Sequence, residues 1–180
     1  MTTSPLNIEN MASRHPGLTE ALAACYSEAA RVCLDRHHRP PIDFAIQDGT
    51  ETIAVIIAWE PTNDRERRAW ANEIDTTEAG AYGCALAAVE RVLGLVAIAR
   101  AETLTGADYY IGLSGSDSGD LEGCFRLEVS GINRGIRAAI SQRLREKVNQ
   151  AASGKSSLAA IATVVGFSAQ LIMVETVKLL

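Results

Sequence analysis

The stretch that most constrains this chain is Leu104 to Gly131, LTGADYYIGLSGSDSGDLEGCFRLEVSG. Two strand-like runs flank a polar, glycine-rich connection. In Phe125-Arg126-Leu127-Glu128-Val129-Ser130 apolar and polar residues alternate strictly. A strand sends successive side chains to opposite faces. Phe125, Leu127 and Val129 therefore enter a core, while Arg126, Glu128 and Ser130 share the other face. In the first run, Ala107 to Ile111, Asp108 and Tyr110 fall on one side and Tyr109 and Ile111 on the other. If the runs pair as a hairpin, Asp108 and Glu128 converge on one face. Two converging carboxylates are the minimum ligand set for a hard divalent cation.

A chain of 180 residues is long enough for one domain with a substantial core. Its 47% hydrophobic and 22% charged content are those of a soluble globular protein. A net charge of -5 argues against indiscriminate binding to nucleic acid or acidic membranes, without excluding a local basic patch. Cys25, Cys33, Cys84 and Cys124 form no C-x-x-C pair and read as reduced, mostly buried thiols. The polar start, Met-Thr-Thr-Ser-Pro, carries no charged-then-apolar leader, so the expected location is cytoplasmic. The apolar region Leu158–Val174 is interrupted by Thr163, Gly166, Ser168 and Gln170, and its β-branched runs suit buried strands better than a membrane span.

Along the chain, residues 1–17 read as a loose arm. Leu18–Arg36 has the spacing of an amphipathic helix, ended before Pro40-Pro41. His37 and His38 read as a solvated helix end, with weak evidence for metal. Asp48-Gly49 predicts a hairpin turn between strands near 42–46 and 52–59. Asn63-Asp64-Arg65-Glu66 predicts a capping box and a short helix to about Glu73. Asp75-Thr76-Thr77-Glu78 predicts a second box, opening a longer helix that Gly94 stops. Leu95–Ala101 reads as a strand covered on both faces. Arg134–Ala152 is the next helix, and Leu158–Lys178 supplies one long or two short strands with Gly166 as the break. The expected fold is a single α/β domain with a mixed sheet.

From Asp75 onward the order helix, strand, strand, strand, helix, strand, with Asp108 on the second strand and Glu128 on the third, resembles the restriction-endonuclease-like, or PD-(D/E)xK, nuclease superfamily. GADYY and RLEVSG also resemble uncharacterised bacterial proteins associated with this fold. The resemblance implies an αβββαβ core over about residues 75–175, extended here by an N-terminal helix and hairpin. It further implies Mg²⁺ held by Asp108 and Glu128, a third carboxylate such as Glu78 from the preceding helix, DNA or RNA as substrate, and a place in bacterial defence. Ser130 stands where the superfamily has its lysine, and Ala107 where it has its proline. Arg126 supplies positive charge on the same predicted face but is a poor proton acceptor.

Each feature has a second reading. Asp108 can accept backbone bonds in a turn, and Glu128 can pair with Arg126. Glu78 fits N3 of a cap. On the helix after Gly131, Arg134, Arg137 and Arg145 fall together and could contact phosphates; Arg143 and Lys147 lie on the opposite flank of its apolar stripe. Basic side chains also commonly edge a packed helix. The loop 112–120 and Gly154-Lys155-Ser156 lack the phosphate-loop pattern, and no histidine follows Arg39 to serve acyl transfer. Two functions follow: an Mg²⁺-dependent nuclease-like protein, or a non-catalytic accessory or self-associating subunit on the same scaffold, partnered by protein.

Overall fold

A computed structural model describes residues 4–103, 105–116, 119–153 and 156–177. Leu104, Asp117, Ser118, Gly154 and Lys155 lie outside the described residues, and with them parts of the two loops weighed for phosphate binding.

The fold is α/β. The strands are β1 (Ser4–Pro5), β2 (Ile42–Asp48), β3 (Glu51–Ile57), β4 (Leu95–Arg100), β5 (Tyr109–Leu113), β6 (Phe125–Ile132), β7 (Ala160–Gly166) and β8 (Leu171–Val177). The helices are α1 (Glu20–Asp35), α2 (Asp64–Ala69), α3 (Glu73–Leu93) and α4 (Arg137–Ala152). One eight-stranded mixed sheet has the order β1-β3-β2-β8-β7-β6-β5-β4. β4, β5 and β6 form an antiparallel meander. The chain then crosses through α4 to β7, parallel to β6, as a parallel pair requires. β7 and β8 are antiparallel, and β8 joins the β2–β3 hairpin by a parallel pairing with β2.

Local chemistry explains the boundaries. Asn63 and Glu66 form the expected capping box of α2, which stops at Ala69. The second expected box does not form: Asn72, three residues earlier, accepts from the amides of Ile74 and Asp75 and starts α3 at Glu73. Asp75 becomes a first-turn acid, favourable at the positive helix end, and Glu78 is freed from capping. Gly94 closes α3 at φ 68°, where a side chain would be strained. The C-terminal region is two strands, parted by a turn after Gly166.

α1 and α3 pack together on one face of the sheet, and α4 covers the other. Phe125, Leu127 and Val129 enter the α1/α3 core as the alternation requires. Gly131 lets α3 sit directly on β6, since a Cβ there would lie 2.6 Å from the Thr77 carbonyl oxygen. On the α4 face the core is smaller, built from Ile140, Leu144 and Ala151 against Ala160, Ala162, Val164, Leu171 and Met173.

Two expectations are corrected. Residues 4–17 are not a loose arm: Leu6, Ile8, Met11 and His15 are buried. β4 is buried from Leu95 to Ile98, as expected of a strand covered on both faces; it is the last strand in the sheet, and the 4–17 segment covers its open edge. Gly17 N donates to Ala97 O at 2.8 Å, and Ala97 N donates to His15 Nδ1 at 3.0 Å. Nor are His37 and His38 merely solvated. Their Nε2 atoms meet Asn133 Oδ1 and Phe167 O, each at 2.8 Å, and so pin the end of α1 to the sheet.

Candidate functional site

The site follows from a mismatch in strand length. β5 pairs with β6 only through Tyr109↔Leu127, Tyr110↔Arg126 and Ile111↔Phe125, whereas β6 pairs with β7 as far as Ile132↔Gly166. Past Leu127, the β5 side of β6 has no strand beside it. There a cleft of about 450 Å³ opens between the N-terminal half of α3 and the middle of α4. Its α3 wall carries Glu73, Ile74, Thr77, Glu78, Ala81 and Tyr82. Asp108, Val129, Ser130, Gly131 and Asn133 form the strand side, and α4 contributes Arg143 and Lys147.

The β5/β6 register does not run on to an Asp108–Glu128 pair: the Asp108 amide donates to Leu127 O at 2.8 Å, the residue that Tyr109 already faces. The carboxylates reach for different helices. Asp108 Oδ1 accepts from Tyr82 Oη of α3 at 2.8 Å, and Oδ2 accepts from Val129 N at 2.8 Å. Arg100 Nη2 stands 3.9 Å from Oδ1. Glu128 lies behind the cleft lining and turns to α4, where Lys147 Nζ donates to Oε2 at 3.1 Å. One common face was expected to bring the two carboxylates together; Asp108 instead turns to α3 and Glu128 to α4.

The electrostatics differ as well. Glu128 is nearly inaccessible, with 5% of its side chain exposed against 22% for Lys147. Burial pushes its carboxyl above the ordinary range; Lys147 pulls it back, while the Asp108 charge adds to the rise. Burial, with Asp108 alongside, also raises the Tyr82 hydroxyl, which stays protonated and donates. The Arg100 guanidinium lies over both the Tyr82 and Tyr109 rings, 4.7 Å and 4.8 Å from their centroids, and donates to Tyr82 Oη at 3.2 Å. Tyr109 Oη shares a 2.6 Å hydrogen bond with Tyr26 Oη.

The other candidates sort clearly. Ser130 lies in the cleft, and its Oγ accepts from Arg143 Nη1 at 3.1 Å. Arg126 faces α4 as the alternation requires, but it is not the partner of Glu128. Its guanidinium is fully buried, and its Nη2 and Nε donate to Ala151 O and Leu158 O. It lies outside the cleft lining. Glu78 is exposed on the α3 lip with Glu73. It does not join Asp108 and Glu128: among the described residues no three His, Cys, Asp or Glu side chains gather as a metal cage. Arg134, Arg137 and Arg145 are exposed and do not line the cleft, and Arg137 Nη2 donates to Gln47 Oε1. The basic flank that reaches the cleft is the opposite one, Arg143 and Lys147.

Lys147 and Tyr82 are the residues that the motif reading missed. A signal for Lys147 existed: Ile140, Leu144, Lys147 and Ala151 recur at helical spacing, so a lysine occupies a position on the buried stripe of α4. Tyr82 carried a weaker one, as an aromatic with a polar tip among the small residues of α3. Cys33, Cys84 and Cys124 are buried and Cys25 exposed, all free, and burial pushes the Cys33 thiol up to about 12. No helix among the described residues is long and apolar enough to cross a membrane. No family model, curated protein or solved structure matches this chain.

Proposed function

We propose that the cleft is the active centre of a divergent restriction-endonuclease-like protein that hydrolyses nucleic-acid phosphodiesters with Mg²⁺. The observation that carries this reading is Lys147. Ser130 leaves the superfamily's lysine position without a charge, yet an ammonium arrives at Glu128 from α4, at 3.1 Å. The order α3-β4-β5-β6-α4-β7, with β7 parallel to β6, agrees with the core that the resemblance implies.

The donor set fits Mg²⁺. This ion takes one or two carboxylates and keeps several waters, so two hard oxygen ligands suffice without a full cage. Each Asp108 oxygen spends one lone pair on Tyr82 or Val129 and retains another. The Asp108 charge adds to the rise that burial gives the Glu128 pKa, a repulsion that a cation relieves. Asp108 and Glu128 would hold the ion, whose chemistry there is to acidify water and neutralise phosphoryl charge. Lys147 orients Glu128 and would supply positive charge near water acidified by the ion. Arg143, with Nη1 on Ser130 and Nε paired to Glu146, keeps Nη2 for a non-bridging phosphate oxygen.

One observation favours the accessory-subunit reading instead: both Asp108 oxygens already hold hydrogen bonds within the protein, as a purely structural aspartate would. Incubating labelled single- and double-stranded DNA and RNA with Mg²⁺ or Mn²⁺ separates the two. Metal-dependent cleavage lost in Asp108→Ala, Glu128→Ala and Lys147→Met supports hydrolysis. No cleavage, with a melting temperature indifferent to the ion, supports the scaffold.

A further inference from the structure

We infer that Tyr82 is a positioning residue for Asp108, holding its carboxylate in the one orientation that presents free lone pairs to the cleft. The inference rests on the metal-site reading proposed above and extends it to a residue outside the ligand set. Asp108 sits just before β5 begins, its backbone held by Leu127 O and Ala101 N while its side chain is left to be oriented. Two donors orient it: Tyr82 Oη on Oδ1 and Val129 N on Oδ2, each at 2.8 Å. Opposed donors on the two oxygens define the plane and the rotation of the carboxylate, as partners behind a metal ligand do.

Tyr82 is itself held firmly. Its ring packs 5.2 Å from Tyr26 and 5.8 Å from Tyr109, and the Arg100 guanidinium covers it and donates to its hydroxyl. A long flexible side chain would lose the orientation to rotamer freedom. A tyrosine fixed on three sides transmits the rigidity of α3 to the carboxylate. Tyr26 belongs to the same aromatic cluster, but its hydroxyl bonds Tyr109. It is therefore the matched control.

The test uses Tyr82→Phe and Tyr26→Phe, each removing one buried hydroxyl and keeping the ring. Two readouts are taken: Mn²⁺ affinity by calorimetry, and hydrogen exchange of the Val129 amide in EDTA. Tyr82→Phe should weaken Mn²⁺ about 10- to 100-fold. It should also lower Val129 protection by about tenfold or more, whereas Tyr26→Phe changes neither. Lost Val129 protection in Tyr82→Phe, in a protein whose wild type binds no Mn²⁺, sustains the positioning role and overturns the metal site. Unchanged protection and unchanged affinity in Tyr82→Phe overturn the inference whatever the metal does. Equal losses in both variants overturn it too, because the hydroxyls would then act only through the stability of the cluster.

Discussion

On the α1/α3 side, β6 offers Leu127 and Val129 to a core continuous from Leu6 to Val174. On the α4 side the same strand offers Arg126, Glu128 and Ser130 to a single helix that keeps Lys147 partly in solvent. Adjacent residues of one strand thus perform opposite tasks. The thick face removes apolar surface from water, at about 25 cal/mol per Å². The thin face accepts a buried carboxylate, which stabilises nothing unless it is paired and otherwise costs several kcal/mol. Stability resides on the face with two helices, and the buried carboxylate resides where a single helix lets an ammonium reach in.

The sharpest contrast is between neighbours. Leu127→Ala empties a fully buried position of the thick face and should destabilise the protein by about 2–5 kcal/mol. Urea denaturation followed by circular dichroism measures it. A cost under about 1 kcal/mol would mean that the α1/α3 core relaxes freely, and the division between faces would fail.

At the next residue the sign reverses. Burial lifts the folded-state pKa of Glu128 above its ordinary 4.5. The protonated carboxyl therefore contributes stability that is fully present below pH 4.5 and lost as pH rises through the raised value. In EDTA, Glu128→Gln should melt a few degrees above wild type at neutral pH, and the gain should vanish below pH 4.5. Lys147→Met strands the carboxylate and should cost about 1–3 kcal/mol at neutral pH, shrinking in acid as Glu128 takes up its proton. Thermal melts of the three proteins between pH 4 and pH 8 decide it. A Glu128→Gln protein less stable than wild type at neutral pH would make the ion pair a net stabiliser, and the thin face would no longer cost stability.

How far the sequence foretells this division follows from the range of each signal. Strict alternation in 125–130 carries the two faces of β6, because side-chain direction in a strand is a local property. The register does not extend the same way to Asp108, whose amide meets Leu127, the partner of Tyr109, and whose side chain turns to Tyr82 on α3. What lay beyond reach was the side on which each carboxylate finds its partner. That depends on where β5 begins and on how closely α3 approaches at Gly131, both set by packing. The start of α3 was misplaced because Asn72 and Asp75 are both good caps, and only the chain path after α2 chooses between them. The ammonium that meets Glu128 comes from Lys147, nineteen residues away and on a helix, beyond the range of a short strand motif.

The smallest expected effects concern the basic residues of α4 and its approach, where the thin face meets solvent. Arg134 and Arg145 are exposed and outside the cleft, so Arg134→Ala and Arg145→Ala should each change stability by less than about 0.5 kcal/mol. They should also leave oligonucleotide affinity unaltered. Arg143 lines the cleft, with its guanidinium on Ser130. Arg143→Ala should weaken binding about evenly across sequences and reduce the salt dependence of log K by about one unit, as loss of one phosphate contact does. Fluorescence anisotropy across a salt series with Asp108→Ala as background, to prevent cleavage, reads both quantities. Should Arg134→Ala and Arg145→Ala lower the slope while Arg143→Ala does not, the nucleic acid lies on the outer surface of α4. The single-helix cover would then be a binding platform in its own right, and the cleft beneath it would hold something smaller.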